Sequence, residues 1–215
     1  MSDKTTLISD ARAFLDRLAQ NNTRDWWLEN KAHYDAALKS PAETLLADLS
    51  PRLADLCQTE IKPKLFRPHR DVRFSKDKTP YHTHLHMMWQ VISDAPQDPV
   101  FFFGIGRDYV TAGAGIMGFD KQVLANWRQM VDLDTDRITG IIDRITDQGF
   151  ALREPDLKRV PSPYPQDHKA ADLLRMKSAV ASKDIGTTTT LAPDLMDHFT
   201  ALWPFNALLI SIAEA

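Results

Sequence analysis

Residues Arg67 to Tyr81 read Arg-Pro-His-Arg-Asp-Val-Arg-Phe-Ser-Lys-Asp-Lys-Thr-Pro-Tyr. Five cations, Arg67, Arg70, Arg73, Lys76 and Lys78, share this stretch with two carboxylates, Asp71 and Asp77. Arginine presents a planar fork matched to phosphate or carboxylate, and lysine adds a mobile point charge. The pattern therefore suits a small anion-bearing ligand, with Asp71 and Asp77 holding the arginines in shape and Tyr81 and His84 lining the wall. Arg24 and Lys31 are outer candidates for the same site. An enzymatic version would use Asp71 or Asp77 as acid or base beside a lysine, but no residue pattern names a reaction. The alternative is a structural or protein-interaction module, in which the motif is an internal ion-pair clamp between helices and sheet.

Other chemistries are weaker. His82, His84 and His86 alternate on one strand face, but a zinc site needs further ligands and an orienting shell. Same-face neighbours on a strand lie about 7 Å apart, which makes the outer two an awkward pair for one ion. The expectation is no metal and no cofactor. Ser75-x-x-Lys78 has the form used by penicillin-recognising enzymes, yet there the serine opens a helix. Here Pro80 disfavours a helical Thr79. Gly104-x-Gly106 lacks the following helix that a dinucleotide site requires.

The elements that must position these residues follow from periodicity. Leu7, Ala11, Phe14, Leu15 and Leu18 predict a helix over residues 7–20, ended by Asn21-Asn22. Asn22 is then placed to cap a second helix over roughly 23–39, with Arg24, Trp27, Lys31 and Tyr34 on one face. Ser40-Pro41-Ala42-Glu43 reads as a capping box opening a third helix, and Pro51 predicts a kink or break near Ser50. Residues 61–66 and 71–74 read as extended, with Val72 and Phe74 facing the core and Asp71, Arg73 and Ser75 facing away. Residues 83–92 alternate as a half-buried strand. Strands are predicted over 100–106 and 109–115, with Arg107-Asp108 at the hairpin tip. Gly113, Gly115 and Gly118 suggest a bulge or a close backbone approach. Helices follow from Asp120 and over 135–148. Short strands are expected at 150–152 and 157–160, a short helix over 167–177, and a last strand over 178–185. A terminal helix opens at Pro193, and Pro204 breaks or bends it.

The expected class is α+β: N-terminal helices packed on a mainly antiparallel sheet, with further helices C-terminal, in a single domain of 215 residues. The net charge of −3 argues against a dedicated nucleic-acid binder. One cysteine, Cys57, allows no internal disulfide and suits a reducing cytoplasm. The first residues, Met-Ser-Asp-Lys-Thr-Thr, lack signal-peptide character, and no apolar run approaches a bilayer span. No membrane or nucleic-acid partner is expected.

The dodecapeptide Arg70-Asp-Val-Arg-Phe-Ser-Lys-Asp-Lys-Thr-Pro-Tyr81 resembles the signature of a bacterial and fungal family, the domain of unknown function numbered 2461. Asn21-Asn22-x-Arg24-x-Trp26-Trp27-x-x-Asn30-Lys31-x-x-Tyr34 resembles its opening motif. Gly113-x-Gly115 and His168 with Leu174-x-x-Lys177 resemble later landmarks, so the likeness covers nearly the whole chain. It implies one family domain and no transferable activity. Two positions depart from the pattern. His82 stands where the family usually carries lysine, and Met117-Gly118-Phe119 replaces the proline common after the glycine pair.

Overall fold

The computed structural model describes residues 6–215. Met1 to Thr5, most of the stretch read as lacking signal character, lie outside the described residues.

Helix α1 (Thr6–Gln20) buries Leu7, Ala11, Phe14, Leu15 and Leu18, the face its spacing predicts. Helix α2 (Arg24–Tyr34) opens at Thr23, whose hydroxyl accepts from the Trp26 amide at 3.3 Å. Thr23, rather than Asn22, is thus the cap, and the Asn22 amide is left to work elsewhere. The expected break before the third helix is absent. Residues Asp35–Lys39 wind as a π-helical turn straight into α3 (Ser40–Cys57). Ser40 is itself helical and no side-chain cap forms at this junction, so the capping box does not close. Pro41 has no N–H to give and crowds the carbonyl four residues back, and a wider turn relieves both problems without ending the helix. Pro51 lies inside α3 and does not end it, because buried Leu45, Leu46, Leu49, Leu53 and Cys57 fasten the helix on both sides.

Strands β1 (Ile61–Leu65), β2 (His84–Val91), β3 (Val100–Gly106) and β4 (Val110–Ile116) follow. Then come α4 (Lys121–Leu133), α5 (Thr135–Thr146), β5 (Ala151–Leu152), α6 (Ala171–Leu174), β6 (Ala179–Asp184) and α7 (Leu191–Ala213). The strands form one antiparallel sheet in the order β1-β2-β3-β4-β6-β5, giving the α+β class the sequence predicts. No strand forms at 157–160, and the helix expected over 167–177 contracts to α6. Pro204 does not break α7, which buries Leu195, Phe199, Leu202, Phe205 and Leu209 on either side of it. No described helix is long and apolar enough to cross a membrane.

Helices α1, α3 and α7 cover one face of the sheet. Leu85, Met87, Trp89 and Val91 of β2 point into this core, and the Trp89 indole donates to the Leu46 carbonyl of α3 at 3.3 Å. His84, His86, Met88 and Gln90 alternate onto the opposite face and are only half-buried. The glycines of β4 mark close approach to β6. A Cβ on Gly113 would lie 2.7 Å from the Ala181 carbonyl oxygen. Gly115 sits at φ +130°, where a Cβ would lie 1.9 Å from the Ala179 oxygen, so only glycine fits.

Candidate functional site

The central segment leaves the sheet as a continuation of the β1–β2 pair. The Phe66 amide donates to the His86 carbonyl at 3.0 Å, the His82 amide to Pro68 at 2.7 Å and the Arg70 amide to Pro80 at 2.8 Å. Leu65 pairs with Met87, but His69 pairs with Tyr81, so the β2 side carries two extra residues between these rungs. Such a bulge re-aims side chains. Beyond it, residues 71–79 form an irregular tip rather than the expected strand. Val72 and Phe74 are therefore not core anchors, and the Phe74 ring is 96% exposed. The alternation argument fails because nothing pairs with this stretch, and an unpaired backbone has no sheet face to alternate across.

The base of the tip is tied to the N-terminal helices. Asn22 donates from Nδ2 to the Tyr81 carbonyl at 2.9 Å and accepts from the Tyr81 amide at 3.1 Å. Beside it the buried Trp27 ring stacks on Tyr81, with centroids 4.3 Å apart and planes 15° from parallel. Phe14 meets Trp27 edge-on, and His69 meets both Trp27 and Tyr81. The two sequence motifs thus meet at a single hydrogen-bonded, aromatic joint. Asn22→Ala is expected to cost about 1–3 kcal/mol in chemical denaturation, because it strands both backbone groups of the buried Tyr81. No measurable loss would mean that water replaces the amide.

Within the tip the charges pair locally. The Arg70 Nη1 donates to Asp77 Oδ2 at 2.6 Å and to the Thr79 carbonyl at 3.0 Å, and it also meets the Thr79 hydroxyl. Asp77 accepts from the Thr79 amide at 2.9 Å. That backbone bond, then Arg70, then the Thr79 hydroxyl hold the Asp77 carboxyl down to about 2. Arg73 grips Asp71 through Nε at 3.0 Å and Nη2 at 2.7 Å, and that bond lowers the Asp71 pKa. Lys78 donates to the Val72 carbonyl at 2.9 Å. Among the described residues Arg67 and Lys76 make no ion pair. These pairs join residues two and seven positions apart; the Arg73 side chain is 77% exposed, while Arg70 is partly buried beside an exposed Asp77. They order the loop, and they do not clamp helices to the sheet as the interaction-module alternative supposes.

The outer candidates stand apart. Arg24 is exposed, and Lys31 pairs with Asp35 one helical turn on. Among the described residues no hydrogen bond or ion pair joins either to the tip. Their face-mates Trp27 and Tyr34 are buried, so this face is a core stripe with cations at its margin.

On the open face of the sheet the three histidines form a column. His84 and His86 stack at 3.7 Å and 16°, and His82 stands tilted against His84 at 4.7 Å and 32°. His86 Nε2 lies 2.7 Å from the Tyr109 hydroxyl, and the rings of Phe66 and Phe102 stand edge-on to His86. Burial first, then neighbouring imidazoles, push His84 down to about 4 and His86 to about 3. Stacked rings direct their lone pairs side by side instead of toward one point. Among the described residues no group of three or more His, Cys, Asp or Glu is arranged to hold a metal ion.

Sequence reading found the cations, Tyr81 and the histidine alternation. It missed Asn22 as a tether, Thr79 as an Arg70 partner and Tyr109 as the histidine anchor. The Asn21-Asn22 doublet was the available signal for the tether. Tyr109 depends on cross-strand register, which local sequence does not encode. No curated protein is matched by the chain. The model of the conserved hypothetical protein family DUF2461 does match, over residues 10–209, and those bounds enclose the helical tether, the charged tip and the histidine column. On that match the chain belongs to the DUF2461 family.

Proposed function

We propose that the Arg67–Tyr81 segment binds a small anion-bearing ligand, phosphate or carboxylate, through Arg70, Arg73, Lys76 and Lys78, with Asp71 and Asp77 as orienting groups. The observation that carries this reading is the frame around Arg70. Its side chain is 22% exposed and fixed through one nitrogen by Asp77 and Thr79, which leaves the rest of the guanidinium for a ligand. Five cations face two carboxylates here, so a positive potential survives the internal pairing in a chain whose net charge is −3. Tyr81, stacked on Trp27, sets where the frame sits. Arg24 and Lys31 belong to an outer ring that attracts the ligand without touching it. The single buried Cys57 suits a reducing cytoplasm.

Arg73→Ala separates binding from stability. The pair is exposed and screened by solvent, so the melting curve should barely move. Calorimetric titration with inorganic phosphate should show binding that is lost in the variant and weakened by salt in the wild type. A large drop in melting temperature, with no phosphate binding in the wild type, would overturn this reading.

A further inference from the structure

The base of the tip and the histidine column are joined through the backbone. Tyr81 turns to the helices, so His82 turns to the open face, and its backbone amide is bonded to Pro68, between Arg67 and Arg70. One end of the column is closed, because Tyr109 holds His86 while Phe66 and Phe102 flank it. The other end, at His82, lies on the rung where its backbone is bonded to Pro68, in the segment that carries Arg67 and Arg70. Among the described residues neither His82 nor His84 has a hydrogen-bond partner for either ring nitrogen, although both rings are partly buried. Arg70 and Arg67 are the charges that act on His82, and His82 is the charge that acts on His84. The other faces of the column present Phe66, Phe102 and Tyr109, none of them a carboxylate. Asp77, the acid nearest in role, is spent on Arg70.

We propose that Arg67, Arg70, His82 and His84 form one oxyanion site, in which the phosphate held by the tip also takes hydrogen bonds from the open imidazole edges of the column. This rests on the anion-binding reading above and extends it from the loop onto the sheet. Two guanidinium groups repel a metal cation, and the stacked rings cannot converge on one, so the unpaired nitrogens call for an anion or for water. A neutral imidazole has one N–H to give, and protonation supplies a second. In the free protein burial, then Arg70 and Arg67, disfavour the charged form of His82, while a bound dianion reverses the sign of the local field. Binding therefore draws a proton onto His82, and by linkage the affinity for the phosphate dianion, once phosphate's own protonation over this range is allowed for, rises as pH falls from 8 toward 6. Lysine at this position would be charged throughout that range, so histidine converts a permanent cation into one that the ligand recruits.

The test is a titration of the full chain with inorganic phosphate at pH 6, 7 and 8, followed by amide and long-range imidazole nitrogen NMR. The expected result has two parts. Amide signals of residues 67–79 shift, and the His82 and His84 nitrogen signals move toward the imidazolium position. His82→Gln should weaken phosphate about tenfold at pH 6 and little at pH 8, since one pKa unit of coupling is a tenfold effect. Arg67→Ala, at an exposed position that does not endanger folding, should reduce the imidazole response and the affinity together. If the loop amides shift but the imidazole signals stay still and His82→Gln binds like wild type at pH 6, the extension onto the sheet is wrong and the loop site stands. If phosphate moves no signal at any pH, the loop site and its extension both fail.

Discussion

Trp27→Ala is expected to cost about 3–5 kcal/mol in chemical denaturation, the usual loss for truncating a buried tryptophan. Trp27 is 3% exposed and meets four rings: Tyr81 face to face, Phe14 and His69 toward edge-on, and Tyr34 tilted at 4.9 Å. Most of the loss is the cavity, because α1, α2 and the base of the ribbon converge on this one side chain. Part is the aromatic geometry, which adds about 0.5–1.5 kcal/mol per well-placed pair beyond area. Trp27→Phe keeps a ring over Tyr81 and should lose less than the alanine variant. The folded fraction of Trp27→Ala should also be cut faster by trypsin within 67–81, where Arg70, Arg73, Lys76 and Lys78 offer four cleavage sites once Tyr81 loosens. A loss under about 1 kcal/mol with unchanged cleavage would show that Asn22 alone holds the ribbon and that the stack is incidental.

The same joint shows what the sequence made legible. Trp27 and Tyr34 recur at helical spacing, so their burial in α2 follows from periodicity alone. The odd residues of β2, Leu85 through Val91, are equally plain from alternation. Their packing against partners distant in the chain was not legible, because Trp27 meets Tyr81 across the sequence and nothing local records it. The opposite error came at Val72 and Phe74. Alternating apolar residues read as a strand with a buried side, but alternation has meaning only where a partner strand exists. A pair of prolines and seven charged residues around the stretch were the better signal, since they disfavour pairing and favour solvent. Proline was over-read as a helix end. At Pro41, Pro51 and Pro204 the local rule predicts a start, a kink or break, and a break or bend. Apolar burial on both sides of each residue keeps the helix running, by a π-helical turn in the first case.

Acid should destabilise the protein well above the range where its carboxylates titrate, and the histidine column is the reason. His84 and His86 are held near 4 and 3 in the folded chain against an ordinary value of 6.5. Between those values and 6.5 the unfolded chain binds more protons than the folded one, so stability falls as pH falls. Above about pH 7.5 both states are neutral at these rings and the contribution is complete and flat. From 6.5 downward it is lost progressively, on the order of 1–2 kcal/mol for each ring by pH 4.5 once partial exposure is allowed for. His82 and His198 are shifted in the same direction, His82 by burial and then Arg70 and Arg67, and His198 by burial and then Lys183. They add to the slope. Asp77, held at about 2, cannot account for a loss in this window, because its protonation matters only below the ordinary carboxylate value. The measurement is urea denaturation at pH 8, 6.5, 5.5 and 4.5 in buffers free of phosphate, for wild type and for the His84→Gln, His86→Gln pair. The wild type should lose stability steadily below 6.5. The double variant should begin lower at pH 8, having lost the stack and the Tyr109 contact, and should then lose far less on acidification. A wild-type curve flat from 6.5 to 4.5 would mean that the rings are as easily protonated folded as unfolded. The column would then be wet, and His82 would have no suppressed charge for an anion to restore.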